Sequence, residues 1–199
     1  MINRRLGVLL LLAVLPIAAC GSPVPGRALP EPAAVPSALP SAPPAAGVPK
    51  VERPLDAAKY IADPCASLTA SQQGEFNVTS SRTNSDEFGV SCIWNVGSGA
   101  TSPGVTYSTA FPDGLSRLYA LNDIDWWDGG YFEPTEVDGY PAVYVSVVDH
   151  RADGDCSLVV AVSDQLFFES SIRTRPSNDS CLGAKNVAEA ILKTIKEGA

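Results

Sequence analysis

The sequence predicts an α+β fold in which one antiparallel sheet of about five to six strands is covered by short N-terminal helices and a C-terminal helix. Between residues 88 and 173, apolar and polar side chains alternate with a period of two in several short segments, which is typical of half-buried strands. Before and after this region, apolar residues recur at helical spacing. Strands in succession with helices at both ends indicate one sheet packed against helices.

The N-terminal helices are predicted on either side of Pro64. Leu55, Ala58 and Ile61 recur at helical spacing, and this helix is expected to end before Pro64 because the residue preceding a proline disfavours the helical conformation. A second short helix is predicted at residues 67–73.

Six strands and one intervening helix follow. The first strand, residues 88–96, alternates so that Cys92 points inward, and residues 105–111 repeat the pattern. Leu115 and Leu118 indicate a short helix over residues 114–122. Four more strands are predicted at residues 132–137, 141–149, 156–163 and 166–173. Turn dipeptides such as Asp138-Gly139 and Asp153-Gly154 are expected to join them into an antiparallel meander.

The C-terminal helix is predicted at residues 181–197, with Asp179 or Ser180 as its N-cap. Its apolar side chains recur on one face, which is the pattern of a helix packed on a sheet. That face carries Ala184, Val187, Ala188, Ile191 and Ile195.

Residues 1–19 have the pattern of a signal peptide. Arg4 and Arg5 precede an apolar run that stops at Cys20, whereas a membrane-spanning helix needs roughly 20 apolar residues. The stretch Ile17-Ala18-Ala19-Cys20 resembles the bacterial lipobox, in which the cysteine receives a diacylglyceryl thioether. An ordinary signal peptide cleaved before a cysteine is the alternative.

Residues 20–53 form a proline- and alanine-rich tether that carries too few large apolar side chains to build a core. About 30 residues of polyproline II helix would reach on the order of 90 Å, and a flexible coil would reach ~30 Å. Residues 54–199 are then expected to form one globular domain, since a chain of this size normally builds one core.

The net charge of the chain argues against two classes of partner. A formal net charge of −8 argues against nucleic acid and against electrostatic docking on anionic lipid, because both reward clustered lysine and arginine. Attachment to the membrane is therefore expected through the lipid on Cys20. We expect a monomeric domain with no cofactor and with an envelope ligand or protein partner of unknown identity.

Four cysteines follow Cys20 in the chain: Cys65, Cys92, Cys156 and Cys181. An even number of cysteines in an exported chain predicts disulfides. Zinc is disfavoured because there is no C-x-x-C pair and only one histidine. Four cysteines allow three pairings. We expect Cys65 to pair with Cys92 and Cys156 with Cys181, because each pair joins neighbouring elements.

The segment NDIDWWDGGYFEP, residues 122–134, is the candidate binding loop. A sugar stacks on exposed aromatic rings beside carboxylates, and this loop would supply them with Trp126, Trp127, Asp128 and Tyr131. The alternative is that one tryptophan packs beneath the sheet edge and the other covers it, since tryptophan is usually largely buried.

A cation site is the second interpretation of this loop, with Asp123, Asp125 and Asp128 as weak candidate ligands. The spacing fits a calcium loop only halfway, because Trp127 occupies the third ligand position and Asp128 the position of the glycine. We therefore expect no metal site.

Enzymatic readings have less support. Serine hydrolase chemistry would have to use His150, which lies in a predicted turn, and there is no G-x-S-x-G motif. Glu133, Glu136 and Asp138 are the candidates for acidic hydrolysis, but charged residues beside a turn are usually solvated. We expect no catalytic residues.

Several strings together identify a resemblance to a family. In chain order they are PLDAAKYIADPCASLTASQ, SCIW, GLSRLYA, FEPTEVDGYPAV and CSLVVAVSD. With the lipobox and the tether, they resemble the actinobacterial lipoproteins of domain-of-unknown-function family 3558. The resemblance implies an exported, lipid-anchored domain at the outer face of the cell membrane, with no known activity, and the order of elements is similar to binding modules of the Mog1/PsbP type. Fold does not determine function, so we expect a non-catalytic binding or accessory lipoprotein, with sugar or cation recognition and then hydrolysis as alternatives.

Overall fold

The computed structural model describes residues 47–176 and 179–198. The predicted signal peptide, Cys20 and most of the tether lie outside the described residues. The helices are α1 (Ala58–Ala62), α2 (Ala70–Glu75), α3 (Leu115–Asn122) and α4 (Ser180–Glu197), with short 3₁₀ helices at Pro64–Ser67 and Arg151–Asp153. The strands are β1 (Val78–Ser85), β2 (Gly89–Val96), β3 (Ser102–Ser108), β4 (Tyr131–Val137), β5 (Tyr140–Ser146), β6 (Asp155–Ser163) and β7 (Leu166–Arg173).

The predicted α+β class is confirmed: the strands form one open antiparallel sheet in the order β1-β2-β3-β7-β6-β5-β4. The predicted meander is present as β4 to β7, and a second meander, β1 to β3, joins it through the pairing of β3 with β7. The chain crosses from one meander to the other through α3. Asp138 and Gly139 both have positive φ angles and make the tight turn between β4 and β5.

The sheet has seven strands, one more than predicted. The additional strand, β1, is an edge strand in which seven of eight residues are exposed. It shows no alternation of apolar residues because neither of its faces is buried, and it is held instead by backbone pairing with β2. Side-chain periodicity could not reveal a strand of this kind.

One face of the sheet is covered by α4 and the N-terminal helices, which enclose the main core. The predicted apolar face of α4 is buried against β6 and β7, and the Ser170 hydroxyl of β7 donates a hydrogen bond to the Ala184 carbonyl at 2.8 Å. Tyr60 of α1 donates from its hydroxyl to the Thr194 carbonyl of α4 at 3.0 Å. The helices are therefore tied to one another as well as to the sheet.

The two disulfides are Cys65–Cys92 and Cys156–Cys181, which are the pairs expected from the sequence. The first joins the 3₁₀ helix before α2 to β2, and the second joins β6 to the first turn of α4. Each closes a loop between elements that pack against each other.

The opposite face is covered only in part. On this face, Val143 of β5 and Val159 of β6 are paired and buried, and Leu115 and Leu118 of α3 belong to the same core cluster. β6 is consequently buried on both faces along its middle, from Leu158 to Val162. The helix α3 thus lies on this face of the sheet and leads into the candidate binding loop.

Three further local predictions needed correction besides the strand predicted at residues 105–111, which is β3 and ends at Ser108. The buried side chains at α1 are those of its N-cap residue Ala57 and of Tyr60, and Ala58 is exposed, because the helix begins at Ala58 and not at Leu55. The predicted helix at residues 67–73 is a 3₁₀ turn followed by α2, whose N-cap is Thr69 with Gln72 completing a capping box.

The third correction concerns β5, which was predicted to reach residue 149 and ends at Ser146. The neighbouring strand β4 starts at Tyr131, opposite Ser146, and the pairing with β6 stops at Tyr144, so Val147 and Val148 pair with neither strand. Both therefore lie in a loop that the alternating pattern did not predict.

Residues before the predicted domain start also pack on the domain. Val51 is buried, and its backbone N–H donates to the Asp164 carboxylate at 3.0 Å in the turn between β6 and β7. Leu55 donates from its backbone N–H to the Val162 carbonyl at 2.8 Å. The chain therefore enters the domain at the end of the sheet where β6 finishes. Within the described residues, no helix has the length and apolar character needed to span a membrane.

Candidate binding surface

The two adjacent tryptophans of the loop between α3 and β4 point to different environments. Trp127 is half-buried: its indole N–H donates to the Leu118 carbonyl at 3.3 Å, and its ring stacks on Phe132 with centroids 6.4 Å apart. Trp126 is 56% exposed. One indole thus anchors the loop on the core, and the other faces water.

A turn with a constrained backbone holds the exposed side chains outward. Asp125 has a φ angle of +57°, a conformation that aspartate and asparagine tolerate better than most residues. The N–H groups of Trp126 and Asp128 donate to the carbonyls of Leu121 and Asp125 at 3.1 and 3.2 Å. Ile124 and Trp126, on either side of Asp125, are therefore displayed by an ordered turn.

The loop is also fixed at its far end. Gly130 packs so closely on β5 that a Cβ at this position would clash with the Ser146 carbonyl oxygen, and a Cβ on Gly129 would lie 2.9 Å from the Val147 carbonyl oxygen. Only glycine fits this approach of two backbones. The packing brings the Trp126 loop beside the loop that begins at Val147 and Val148.

Four exposed apolar side chains lie on these two adjoining loops, and we call them the distal patch. Among residues 47–176 and 179–198, they are four of the six large apolar side chains that are exposed. They are Ile124 at 67%, Trp126 at 56%, Val147 at 49% and Val148 at 47%.

The distal patch lies at the end of the sheet opposite the entry of the chain. The loops that carry it adjoin the start of β4 and the end of β5, at Tyr131 and Ser146, whereas the entering chain bonds Val162 and Asp164 where β6 ends. Because β5 and β6 are antiparallel, the end of β5 and the end of β6 are at opposite sides of the sheet. Exposed apolar residues gathered at one place usually mark an interaction surface.

Tyr131, a predicted ligand residue, is part of the packing behind the distal patch and not of its exposed surface. It is buried, its hydroxyl accepts a hydrogen bond from the Ser157 N–H at 3.2 Å and donates to Cys156 Sγ at 3.8 Å, and burial raises its pKa. The Arg151 guanidinium covers its ring, 4.1 Å from the centroid. Its aromatic face is therefore closed to a ligand.

Arg151 organises the loop that follows Val148. Its guanidinium bonds both Asp149 carboxylate oxygens, at 2.9 and 2.6 Å, and the Glu133 carboxylate at 2.9 Å. The side chain and the backbone N–H of Arg151 lower the pKa of Asp149 to about 2, and the hydrogen bonds to Asp149 and Glu133 raise the pKa of Arg151. A bidentate pair of this kind is geometrically specific, so it favours one arrangement of this loop.

The carboxylates of the loop aspartates do not converge on one point. Among the described residues, no three Asp, Glu, His or Cys side chains converge in a group that could hold a metal ion. Asp123, Asp125 and Asp128 are all exposed, and within the described chain their carboxylates make no hydrogen bond or ion pair. They leave unneutralised negative charge beside Ile124 and Trp126.

The candidate acidic and histidine residues are separated in space. Glu133 pairs with Arg151 near the start of β4, whereas Asp138 pairs with Lys196 at 3.6 Å beyond its other end. Glu136 is exposed on β4, and His150 is exposed and contacts Asp153 at 3.0 Å. These residues do not surround a common cleft.

Two hollows of the surface are lined mostly by polar and charged residues. A cleft of about 630 Å³ between α2 and α4 is lined by charged residues such as Glu75, Glu189 and Lys193. A second, of about 350 Å³, lies over the uncovered part of the sheet between Arg82 and Glu169. In contrast to the distal patch, neither displays exposed large apolar side chains.

Sequence reasoning found Trp126 but missed Ile124, Val147 and Val148. The two valines were assigned to a strand, and their position outside it becomes apparent only when β5 is known to end at Ser146. Ile124 lies between two aspartates, and nothing in that short segment indicates whether it is exposed.

The comparisons with known proteins give a family and no activity. The family described as "Protein of unknown function (DUF3558)" matches residues 15–194. No curated protein and no solved structure matches the chain.

Proposed function

This chain belongs to the DUF3558 family, and we propose that it is a lipid-anchored binding or accessory protein at the extracytoplasmic face of the cell membrane, without catalytic activity. The observation that carries the proposal is which cysteines form disulfides and which one does not. The chain has five cysteines, and the four in the domain are joined in two disulfides. Cys20 is left over, at the position where a lipobox places the lipidated residue.

The disulfides support export. Stable disulfides form in oxidising compartments and are rare in the cytosol. An apolar run preceded by Arg4 and Arg5 and ended by a small-residue pair before Cys20 is the sequence required for export and lipid attachment.

The arrangement of charged residues supports a binding role over catalysis. The candidate carboxylates Glu133 and Asp138 are engaged in ion pairs at opposite ends of β4, and the domain cysteines are oxidised. The distal patch, by contrast, is exposed, and backbone hydrogen bonds and close backbone packing hold the loop that carries Ile124 and Trp126, as a recognition surface requires.

The anchor is tested by replacing Cys20 with serine in the full chain and separating cells into membrane and soluble fractions. We expect the wild type in the membrane fraction, with a diacylglyceryl group on its N-terminal peptide by mass spectrometry, and Cys20→Ser in the soluble fraction. The double variant Cys156→Ser/Cys181→Ser is the matched control, since it removes two cysteines and should stay membrane-bound. A Cys20→Ser protein that remains in the membrane would refute lipid anchoring.

The binding role is tested on the soluble Cys20→Ser chain by thermal shift against envelope glycans, lipids and purified envelope proteins. A ligand present at 100 times its dissociation constant stabilises by about 2.7 kcal/mol, which corresponds to roughly 5–10 °C for a domain of this size. Turnover of any of these compounds, instead of binding, would refute the non-catalytic assignment.

A further inference from the structure

We propose that the distal patch is the docking surface for a protein partner that presents an apolar segment flanked by lysine or arginine. The inference deepens the proposed function and rests on it, because an envelope binding protein needs a surface that faces away from its anchor. The proposal concerns Ile124, Trp126, Val147 and Val148 together with the aspartates beside them.

The composition of the patch is that of a protein interface. Trp126 is a large, rigid side chain of the type that most often dominates binding energy, and exposed aliphatic side chains lie on the same two adjoining loops. A sugar site would use coplanar aromatic rings, but Trp127 is turned into the core and Tyr131 is covered by Arg151. Ile124, Val147 and Val148 add apolar area without an aromatic face.

The charge around the patch selects the kind of partner. Asp123, Asp125 and Asp128 are exposed and carry no ion pair within the described chain. Three uncompensated negative charges repel an anionic membrane and also repel a second copy of the same surface. They attract a partner with lysine or arginine around its apolar centre, as in interfaces with an apolar core and a polar rim.

The rigidity of the patch reduces the cost of binding. The turn at Asp125, the anchored indole of Trp127 and the close packing of Gly130 on β5 hold the exposed side chains before a partner arrives. A surface that is already ordered loses less conformational entropy on association. The patch also lies opposite the entry of the tether, so it can face a partner while the chain stays anchored.

The proposal is tested by photo-crosslinking of the full chain in cells of the source organism. The photoreactive residue p-benzoylphenylalanine replaces Trp126, and in a matched control it replaces Phe88, which is 55% exposed at the other end of the sheet. We expect one discrete adduct from position 126 with a different protein, absent from position 88. Peptide mapping should place the crosslink in an apolar segment with neighbouring lysine or arginine.

The charge requirement is tested in the same cells with Asp123→Asn/Asp125→Asn/Asp128→Asn. Asparagine preserves size and tolerates the positive φ angle at position 125, so folding should be unaffected. Loss of about twofold for each exposed charge pair predicts a decrease of about eightfold in crosslink yield. An unchanged yield, an adduct with lipid, glycan or a second copy of this chain, or no discrete protein adduct would overturn the proposal.

Fractionation of the same cells separates this inference from the proposed function. A chain that is found outside the membrane fraction refutes lipid anchoring whether or not it crosslinks. A chain that is membrane-bound and forms no protein adduct through position 126 refutes the docking surface alone.

Discussion

Replacing each of the adjacent tryptophans by alanine separates the anchoring indole from the displayed one. Trp127 is half-buried against Phe132 and donates to the Leu118 carbonyl, whereas Trp126 is more than half exposed. The two variants differ by one position in the same loop, so each is the control for the other. We expect Trp127→Ala to destabilise the domain strongly and Trp126→Ala to leave its stability almost unchanged.

The magnitude follows from the apolar area that each indole removes from water. If Trp127 hides about 150 Å² of apolar surface, burial at about 25 cal/mol/Å² contributes about 4 kcal/mol, which is an upper estimate because unfolded chains are partly compact. A loss of roughly 3 kcal/mol lowers the melting temperature by roughly 6–12 °C in a domain of about 150 residues. For Trp126 we expect about 1 kcal/mol or less.

Thermal unfolding of the soluble Cys20→Ser chain, followed by circular dichroism, measures both effects. Acrylamide quenching gives an independent measure, since Trp126→Phe should remove most of the quenchable emission and Trp127→Phe should retain it. Equal melting temperatures for the two alanine variants, or a larger loss for Trp126→Ala, would show that the assignment of the two indoles is wrong.

Three further predictions concern the elements that hold the distal patch in place. Cys156→Ala/Cys181→Ala opens a loop with a sequence separation of 25 and should cost about 3.5 kcal/mol in denaturant unfolding by the chain-entropy relation; a loss below about 1 kcal/mol would contradict it. Gly130→Ala should lower the melting temperature because its Cβ clashes with β5, whereas Gly74→Ala, in open space on α2, should not. Because Arg151 lowers the pKa of Asp149 from 3.8 to about 2, its interaction should stabilise the loop above pH 4 and be lost as the pH falls towards 2. Asp149→Asn should therefore remove this part of the acid sensitivity, and an unchanged acid unfolding profile would refute it.

Much of the fold was predictable because side-chain periodicity reports local burial. The strands β2, β3, β5, β6 and β7 and the helix α4 each have at least one apolar stripe, and β4 keeps apolar residues at its two ends. The corresponding patterns predicted the existence and type of these elements. The strand β1 has no such stripe, since it is an exposed edge that is held by backbone hydrogen bonds to β2. A strand without a buried face leaves no trace in the pattern of apolar residues.

The candidate surface was less predictable because its properties depend on neighbours that are distant in the sequence. The loop was identified by its composition, but Trp126 and Trp127 are chemically identical and adjacent, and only the position of Phe132 and the Leu118 carbonyl decides which indole is buried. The alternating pattern predicted that the strand continues through the valines after Ser146, but the pairing with β4 ends at Ser146 because β4 starts at Tyr131.

The amino-acid sequence alone determined the α+β class, because the class depends on local periodicity, whereas it left three cysteine pairings open, of which the structure shows Cys65–Cys92 and Cys156–Cys181. The location of the chain stays a prediction from its N-terminal sequence. Only the tertiary structure decided the strand order, the side on which α3 crosses the sheet and the apolar side chains that face water. Exposure is a property of what packs on a residue, and for Trp126, Val147 and Val148 nothing in the described chain covers their outer faces.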